Sequence, residues 1–248
     1  MCNGVVTRPT MFLSKAISVA VAALASIAHA HSKIAFSRPR SRRSTTLSIR
    51  EVVSENWCGP VITSNNVTSI EATWVVPSVA IPRGGSSEGD FWFYQWVGID
   101  GTNNCPGLLQ AGTGHTIRNG RVNVFSWYEF WPAAPVYPDI PKTYAHSYIM
   151  NYSTGQSDTY HVSNDHASLC FKTAEWIAEA PGYIHRPAAL PAFSTFAFQG
   201  CKAWTSQDTA VNLQGSAPWT IHKLSEEPSR QICHSKAMSD SDVTMYNW

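Results

Sequence analysis

Short stretches of alternating apolar and polar residues, each ended by Gly, Pro, Asn or Asp, run through this chain from about residue 56 to its end. No stretch of ten or more residues shows a persuasive 3.6-residue period, so the pattern is typical of β-strands and not of amphipathic helices. Many short strands in a chain of this length favour an all-β sandwich in a single domain. The segments predicted as strands are 69–77, 91–99, 107–112, 122–131, 147–153, 157–163, 173–180, 194–200 and 243–248.

An acid-free segment precedes this pattern. The first thirty residues contain no Asp or Glu, and their apolar run ends in a small-x-small pattern at Ala30. These features are typical of a secretory signal peptide, whereas a membrane anchor, the alternative, needs about 20 apolar residues. We predict a secreted protein with a signal peptide at 1–30 removed near Ala30, a basic pro-segment or linker at 31–53, and one domain at 54–248. No stable membrane anchor is expected.

The formal net charge of +1 hides an uneven distribution of charged residues. Six Lys and Arg and no acidic residue lie between His31 and Arg50, whereas 10 Lys and Arg stand against 17 Asp and Glu from Glu51 onward, a formal charge of −7. A basic pro-segment can neutralise an acidic domain until it is removed. An acidic domain disfavours nucleic acid as a partner, because the phosphate backbone requires a basic face. We expect a monomer.

Alternation along four of the predicted strands sorts their residues onto two faces, because successive side chains of a strand point in opposite directions. One face combines aromatic, carboxylate and amide groups: Trp96, Asp100, Leu108, Gln110, Trp127, Glu129, Trp131, Glu175, Ile177 and Glu179. The opposite face is apolar: Val97, Leu109, Ala174, Trp176 and Ala178. The polar face predicts a concave binding groove, and an ordinary solvated sheet face is the alternative.

Five motifs carry a family resemblance. They are "WVGIDG" (96–101), "LLQAG" (108–112), "WYEFWP" (127–132), "YSTGQS" (152–157) and "AEWIAEAP" (174–181). In this order and approximate spacing they resemble the glutamic peptidases of family G1, the eqolisins, formerly grouped with the A4 acid proteases. The last motif is similar to the bacterial branch of that family. The likeness covers roughly residues 54–248.

The resemblance implies a secreted acid endopeptidase on a two-sheet, antiparallel, concanavalin-like β-sandwich with a concave substrate groove. It implies a protein or peptide substrate, a Gln/Glu catalytic dyad, and neither a metal nor another cofactor. The catalytic glutamine of the family matches Gln110, and its catalytic glutamate matches Glu175. The predicted substrate-binding residues that match its cleft are Trp96, Asp100, Trp127, Glu129 and Trp131, the last at a position that is usually Tyr.

The chemistry of the two residues fits peptide hydrolysis. A glutamate near its unperturbed pKa of about 4.3 stays ionised in mild acid, so Glu175 can take a proton from water as a general base. The amide of Gln110 can donate a hydrogen bond to the developing oxyanion whether or not the medium is acidic. Glu179 lies on the same face and competes with Glu175 for this role, and only the family register selects Glu175. Asp100 could instead be a turn residue that caps its own loop.

Five cysteines follow the predicted signal peptide and allow at most two disulfides. Cys105 lies five residues before Gln110, and Cys170 lies five residues before Glu175. If the two strands are neighbours, a Cys105–Cys170 disulfide would hold them together. The next most plausible pair is Cys201 with Cys233, which would leave Cys58 free. No CxxC pair, HExxH motif or clustered His/Cys spacing supports a zinc site.

Two other functions remain open from the residues alone. A carbohydrate-active β-sandwich is the first, because tryptophans beside two carboxylates, Glu129 and Glu175, also suit a glycosidase. Gln110 has no obvious use in sugar hydrolysis, which argues against it. A non-catalytic lectin-like module is the second.

Overall fold

The computed structural model describes residues 16–24, 51–102, 104–105, 107–131, 143–164, 168–183, 186–187, 189–223 and 230–247. All the named elements in these ranges are β-strands, which confirms the predicted all-β class. None of the described residues forms a helix long and apolar enough to cross a membrane.

The chain order of the strands follows the predicted pattern. They are β1 (Ala16–Leu24), β2 (Val52–Ser54), β3 (Trp57–Thr63), β4 (Val67–Val75), β5 (Val79–Ala80), β6 (Phe91–Asp100), β7 (Leu108–Arg118), β8 (Arg121–Trp131), β9 (Thr143–Asn151), β10 (Gln156–Asn164), β11 (Thr173–Glu179), β12 (Gly182–Tyr183), β13 (Arg186–Pro187), β14 (Ala192–Phe193), β15 (Phe196–Thr205), β16 (Ala210–Val211), β17 (Ala217–Lys223), β18 (Arg230–Ala237) and β19 (Val243–Asn247). Each of the nine predicted segments overlaps one of them.

The residue pattern does not predict some of the strands, because Pro and Gly lie inside them. Pro60 of β3 and Pro218 of β17 are directly opposite each other, so two residues that usually end strands occupy one paired position. Strand β7 continues to Arg118, beyond the predicted end at Gly112. A Cβ atom at Gly112 would lie 2.0 Å from the carbonyl oxygen of Gln95, so this glycine permits a close approach of two strands and does not mark a turn.

Most strands belong to one continuous sheet that curls on itself. The order along the sheet is β10-β9-β1-β4-β15-β19-β18-β17-β3-β11-β6-β7-β8, and β16 and β2 pair beside this path. The pairs are antiparallel apart from β2 with β17. Strands β4 and β1 of one half pack across the interior on β6 of the other half. The two predicted layers of the sandwich are therefore the two halves of one curled sheet.

The main core lies between these halves. The five residues predicted for the apolar face are fully buried in it, as are Trp74, Phe93 and Phe198. A second, smaller apolar cluster of Val61, Trp96, Leu108 and Ile177 lies on the other face of β3, β6, β7 and β11. Apolar side chains thus cover both faces of these strands, which holds the groove floor rigid.

Strand β1 lies within the predicted signal peptide and pairs with β4 and β9. The expected cleavage near Ala30 and the pro-segment up to residue 50 fall outside the described residues. The boundaries at 1–30, 31–53 and 54–248 therefore stay predictions.

A buried histidine in the main core gives the fold a pH dependence. His115 is 1% exposed and its ring lies 6.0 Å from that of Phe93. Burial lowers the pKa of His115 from 6.5 to about 4, and the backbone of Pro77 and Phe93 opposes this change. The unfolded chain therefore binds a proton near pH 6.5 that the folded chain takes up only near pH 4, so stability is lost as the pH falls between these values.

We expect His115→Phe to reduce this loss of stability by about 3 kcal/mol, which is the free energy that corresponds to a pKa change from 6.5 to about 4. Urea unfolding at pH 4, 5, 6 and 7 measures it as the change in the free energy of unfolding. An exposed histidine, His161→Phe, serves as the control. The same pH dependence in wild type and His115→Phe would contradict this account.

Candidate active site

Four adjacent strands, β11, β6, β7 and β8, carry the predicted site on the face directed away from the main core. Along one line across these strands, Glu175 is opposite Gly98, Gly98 is opposite Gln110, and Gln110 is opposite Glu129. Residues directly opposite each other in antiparallel strands project to the same face. The structure therefore brings the predicted dyad and Glu129 into one row, on the single face that the alternation of residues predicted.

Gly98 separates the two members of the predicted dyad by one strand. Their Cα atoms are therefore about 10 Å apart, twice the spacing of neighbouring strands. A Cβ atom at Gly98 would lie 2.7 Å from a ring carbon of Trp96 and 3.0 Å from the carbonyl oxygen of Leu109. Glycine is required here by the close packing, and the ring of Trp96 lies beside the gap between Glu175 and Gln110.

Glu175 is fully buried, and neither of its carboxylate oxygens has a hydrogen-bond partner in the described part of the chain. Burial raises the pKa of Glu175 well above its usual value, the Thr173 side chain opposes this change, and the Asp100 carboxylate adds to it. The near-ordinary pKa expected from residue type alone is therefore wrong. A buried carboxyl group of this kind disfavours the folded state and is typical of functional sites.

Gln110 is oriented by Glu129. Its Nε2 donates a hydrogen bond of 2.9 Å to Oε2 of Glu129, while its buried Oε1 has no partner among the described residues. Burial raises the pKa of Glu129, and the hydrogen bond from Gln110 opposes this change. The second hydrogen of Nε2 is left for another acceptor, so the amide can hold one group in place and donate to a second.

Asp100 lies at the end of β6 and anchors the segment that leads into β11. Its fully buried carboxylate accepts hydrogen bonds from the backbone N–H groups of four residues, at 2.6 to 3.2 Å: Cys170, Phe171, Lys172 and Thr173. Burial raises the pKa of Asp100, and these four hydrogen bonds oppose the change. The carboxylate fixes the backbone just before Glu175, 70 to 73 residues further along the chain, and not the loop of Asp100 itself as the alternative predicted. Its contact with substrate stays a prediction.

We expect Asp100→Asn to destabilise the fold by about 3 kcal/mol, because an amide nitrogen would then face backbone N–H donors in a buried site. Urea unfolding of the purified protein measures the change. The control is Asp90→Asn, whose carboxylate makes an exposed ion pair with Arg118 at 3.5 Å and should contribute little. Equal stabilities of the two variants would show that the hydrogen bonds from residues 170–173 to Asp100 do not stabilise the fold.

The predicted Cys105–Cys170 disulfide is present beside Asp100, with a Cα–Cα distance of 5.9 Å. Its two strands are not neighbours, because β6 lies between β7 and β11. The bridge instead joins the segments that precede them.

The second predicted pair is wrong. Cys233 pairs with Cys58, and Cys201 is a buried free thiol. Strand β17 pairs with β3 through one part and with β18 through another, which brings Cys58 close to Cys233.

Glu179 does not occupy the position of Glu175. Its Oε2 accepts a hydrogen bond of 2.8 Å from the indole Nε1 of Trp96. Burial raises the pKa of Glu179 to about 7; the side chains of Trp96, Trp57 and Asn56 lower it and the Glu129 carboxylate raises it. Of the two candidate glutamates, Glu175 is therefore the one beside Gly98 with uncommitted oxygens.

The three predicted cleft tryptophans lie on the groove face in different environments. Trp96 is fully buried, Trp127 is half-buried with an indole Nε1 that lacks a partner among the described residues, and Trp131 is 52% exposed. Their contact with substrate stays a prediction. The residue pattern did not single out Trp57 and Trp219, which pack from β3 and β17 against the small apolar cluster that contains Trp96.

The importance of Gly98 was also not predicted, although the alternation of "WVGIDG" places it between Trp96 and Asp100 on the same face.

Among the described residues, Asp100, Cys105 and Cys170 lie close enough together for a metal ion. Both sulfur atoms are in the disulfide and are poor metal ligands in that form.

Comparisons with known proteins agree with this geometry. A family model described as "Peptidase A4 family" matches residues 55–246. Aspergillopepsin-2 of Aspergillus niger is 26% identical over 226 residues, which cover 79% of this chain and 78% of that protein. The structure of scytalido-glutamic peptidase with a transition state analog inhibitor has a TM-score of 0.63 and 23% identity over 78% of this chain and 98% of that one.

Aspergilloglutamic peptidase of Aspergillus niger has a TM-score of 0.53 and 24% identity over 64% of this chain and 99% of that one. The curled β-sandwich and the match over residues 55–246 together define the class of this protein as that of the A4, or glutamic, peptidases. The chain belongs to the Peptidase A4 family. The resemblance carried by the five sequence motifs is confirmed, and a peptidase is favoured over the glycosidase and lectin alternatives.

Proposed function

We propose that this protein is a secreted, metal-independent acid endopeptidase that hydrolyses protein or peptide substrates with Glu175 and Gln110. The observation that carries the proposal is the row in which these two side chains stand on either side of Gly98. The buried carboxylate oxygens of Glu175 support it further, because they make no hydrogen bond within the described residues and are not engaged in holding the fold. Family membership supports peptide hydrolysis as the class of reaction.

The reaction proceeds through addition of water to the peptide carbonyl group. In its ionised form, which burial makes the minor one in acid, Glu175 takes a proton from water while the water oxygen forms a bond to the carbonyl carbon, and the carbonyl π electrons move to oxygen. Nε2 of Gln110 donates a hydrogen bond to this oxyanion. The oxyanion then reforms the carbonyl group, the C–N bond breaks, and Glu175 returns its proton to the leaving nitrogen, so that a carboxylic acid and an amine are released.

Stability in acid is supported by the buried carboxyl groups of the groove, whereas the raised pKa of Glu175 makes its ionised form scarcer as the pH falls. Glu179 ionises near pH 4.5 when unfolded but near pH 7 when folded. A raised pKa of this kind contributes stability that is fully present below pH 4.5 and is lost as the pH rises through 7. The pKa values of Glu129 and Glu175 are raised as well, so the groove gains stability from mild acid.

Digestion of a denatured protein from pH 2 to 8, with and without EDTA, tests the proposal. We expect maximal cleavage at internal peptide bonds below pH 7, unchanged by EDTA. A maximum at neutral or alkaline pH, or loss of cleavage with EDTA, contradicts the acid or the metal-independent part of the proposal. Secretion is tested by N-terminal sequencing of protein from culture medium, which should begin at His31 or later.

A further inference from the structure

The ring of Trp96 lies directly beside the gap at Gly98. Two ring carbons of Trp96 lie 2.7 and 3.1 Å from the position that a Gly98 Cβ atom would occupy. Trp96 itself is fully buried within the small apolar cluster of the groove face. The edge of this indole therefore forms the floor between Glu175 and Gln110, and a shift of the ring would change the space available to a group held between them.

The indole is fixed at its other end by Glu179. The hydrogen bond of 2.8 Å from Nε1 of Trp96 to Oε2 of Glu179 crosses from β6 to β11. The ring of Trp57 meets Trp96 edge-on, with 4.9 Å between ring centroids. Glu179 is also directly opposite Tyr94 on β6 and Trp57 on β3. These two contacts, together with packing in the small apolar cluster, hold the indole in place.

We propose that Glu179 is a positioning residue: by holding the Trp96 indole against Gly98, it sets the distance at which Glu175 and Gln110 enclose the reacting carbonyl group. This inference rests on the proposed peptidase function, since Glu179 acts through Trp96 and not on the substrate. Misplacement of a reacting group by about 1 Å costs on the order of 100-fold in rate. A single buried contact can therefore have a large effect on turnover.

The protonation of Glu179 adds a pH dependence to this contact. The groups around it are the Glu129 carboxyl group, the side chains of Trp57, Trp96 and Asn56, Tyr94 opposite it, and Glu175 farther along its own strand. Burial raises the pKa of Glu179 to about 7, so in acid it accepts the indole hydrogen bond without adding a buried negative charge near Glu129. Above pH 7 the charge appears; it strengthens the hydrogen bond from the indole, but its burial near Glu129 disfavours the folded groove.

A double-mutant cycle with Glu179→Leu and Trp96→Phe tests the inference, measured as kcat and KM on one peptide in acid. Each single variant is expected to lower kcat on the order of 10- to 100-fold, with a smaller change in KM. The double variant should lose no more than either single variant, because both remove the same contact. Glu179→Gln keeps an oxygen acceptor for the indole, so it should retain kcat within a few-fold and flatten the pH dependence near 7.

Losses that multiply in the double variant would overturn the inference, as would unchanged kcat in a Glu179→Leu protein with native near-UV circular dichroism. If Glu179→Leu does not fold, Trp96→Phe and Glu179→Gln still test the inference. A loss of kcat in Glu179→Gln as large as that in Trp96→Phe would overturn it, because the Gln side chain keeps an oxygen acceptor for the indole. Failure of the proposed function has a different signature: Glu175→Gln would then cleave as fast as the wild type, whatever the Glu179 variants do.

Discussion

Replacement of Glu175 by Gln should lower kcat for peptide cleavage on the order of 1,000-fold, because the variant can neither take a proton from water nor return it to the leaving nitrogen. Hydrolysis of a quenched fluorescent peptide at the optimal pH measures the loss. The matched control is Glu88→Gln, which makes the same chemical change at an exposed position and should retain full activity.

The same variant should be at least as stable as the wild type at pH 7. Glu175 is fully buried with unpartnered oxygens, so its ionisation disfavours the folded state, and a neutral amide of the same shape removes this cost. Urea unfolding at pH 7 measures the effect. A variant that is less stable and only weakly impaired would indicate that Glu175 is a structural residue and not the base.

Replacement of Gln110 by Ala should lower kcat by about 100- to 1,000-fold, the usual cost of losing one donor to an oxyanion. The change in KM should be smaller, since the contact strengthens as negative charge develops on the oxygen. Steady-state kinetics on the same peptide separate the two constants. Gln199→Ala, an exposed glutamine on β15, is the control and should behave as the wild type.

A rise in KM at constant kcat would contradict this role and leave Gln110 as a binding residue. The structure gives a second check through Glu129, whose raised pKa is opposed by the hydrogen bond from Gln110. Loss of this hydrogen bond should raise the pKa of Glu129 further. Titration of its carboxyl carbon by NMR in wild type and Gln110→Ala would detect the change.

The alternation of residues was sufficient to predict the two faces of the central strands. Gln110 and Glu175 lie in one row of the groove, and Leu109 and Trp176 lie in the core behind it. This part of the site was predictable because the side-chain direction in a strand depends only on neighbouring residues. The family motifs then selected the two residues from the other polar groups on that face.

Contacts between distant strands were harder to predict. The choice of Cys58 as the partner of Cys233 depends on β17, a strand that its Pro residue concealed. The capping of residues 170–173 by Asp100 and the contact of Glu179 with Trp96 each join strands far apart in the chain. A pattern read along one segment carries no information about which other segment lies beside it.

The alternation of residues was therefore enough for the all-β class and for the face on which each central residue lies, while the family motifs selected Gln110 and Glu175 as the predicted dyad. Only the tertiary structure decided that β6 lies between β7 and β11, which makes Gly98 the residue between Gln110 and Glu175. It also decided that Glu175 is buried with unpartnered oxygens while Glu179 is bonded to Trp96. Strand order and burial arise from the packing of the whole curled sheet, whereas side-chain alternation arises from the local backbone.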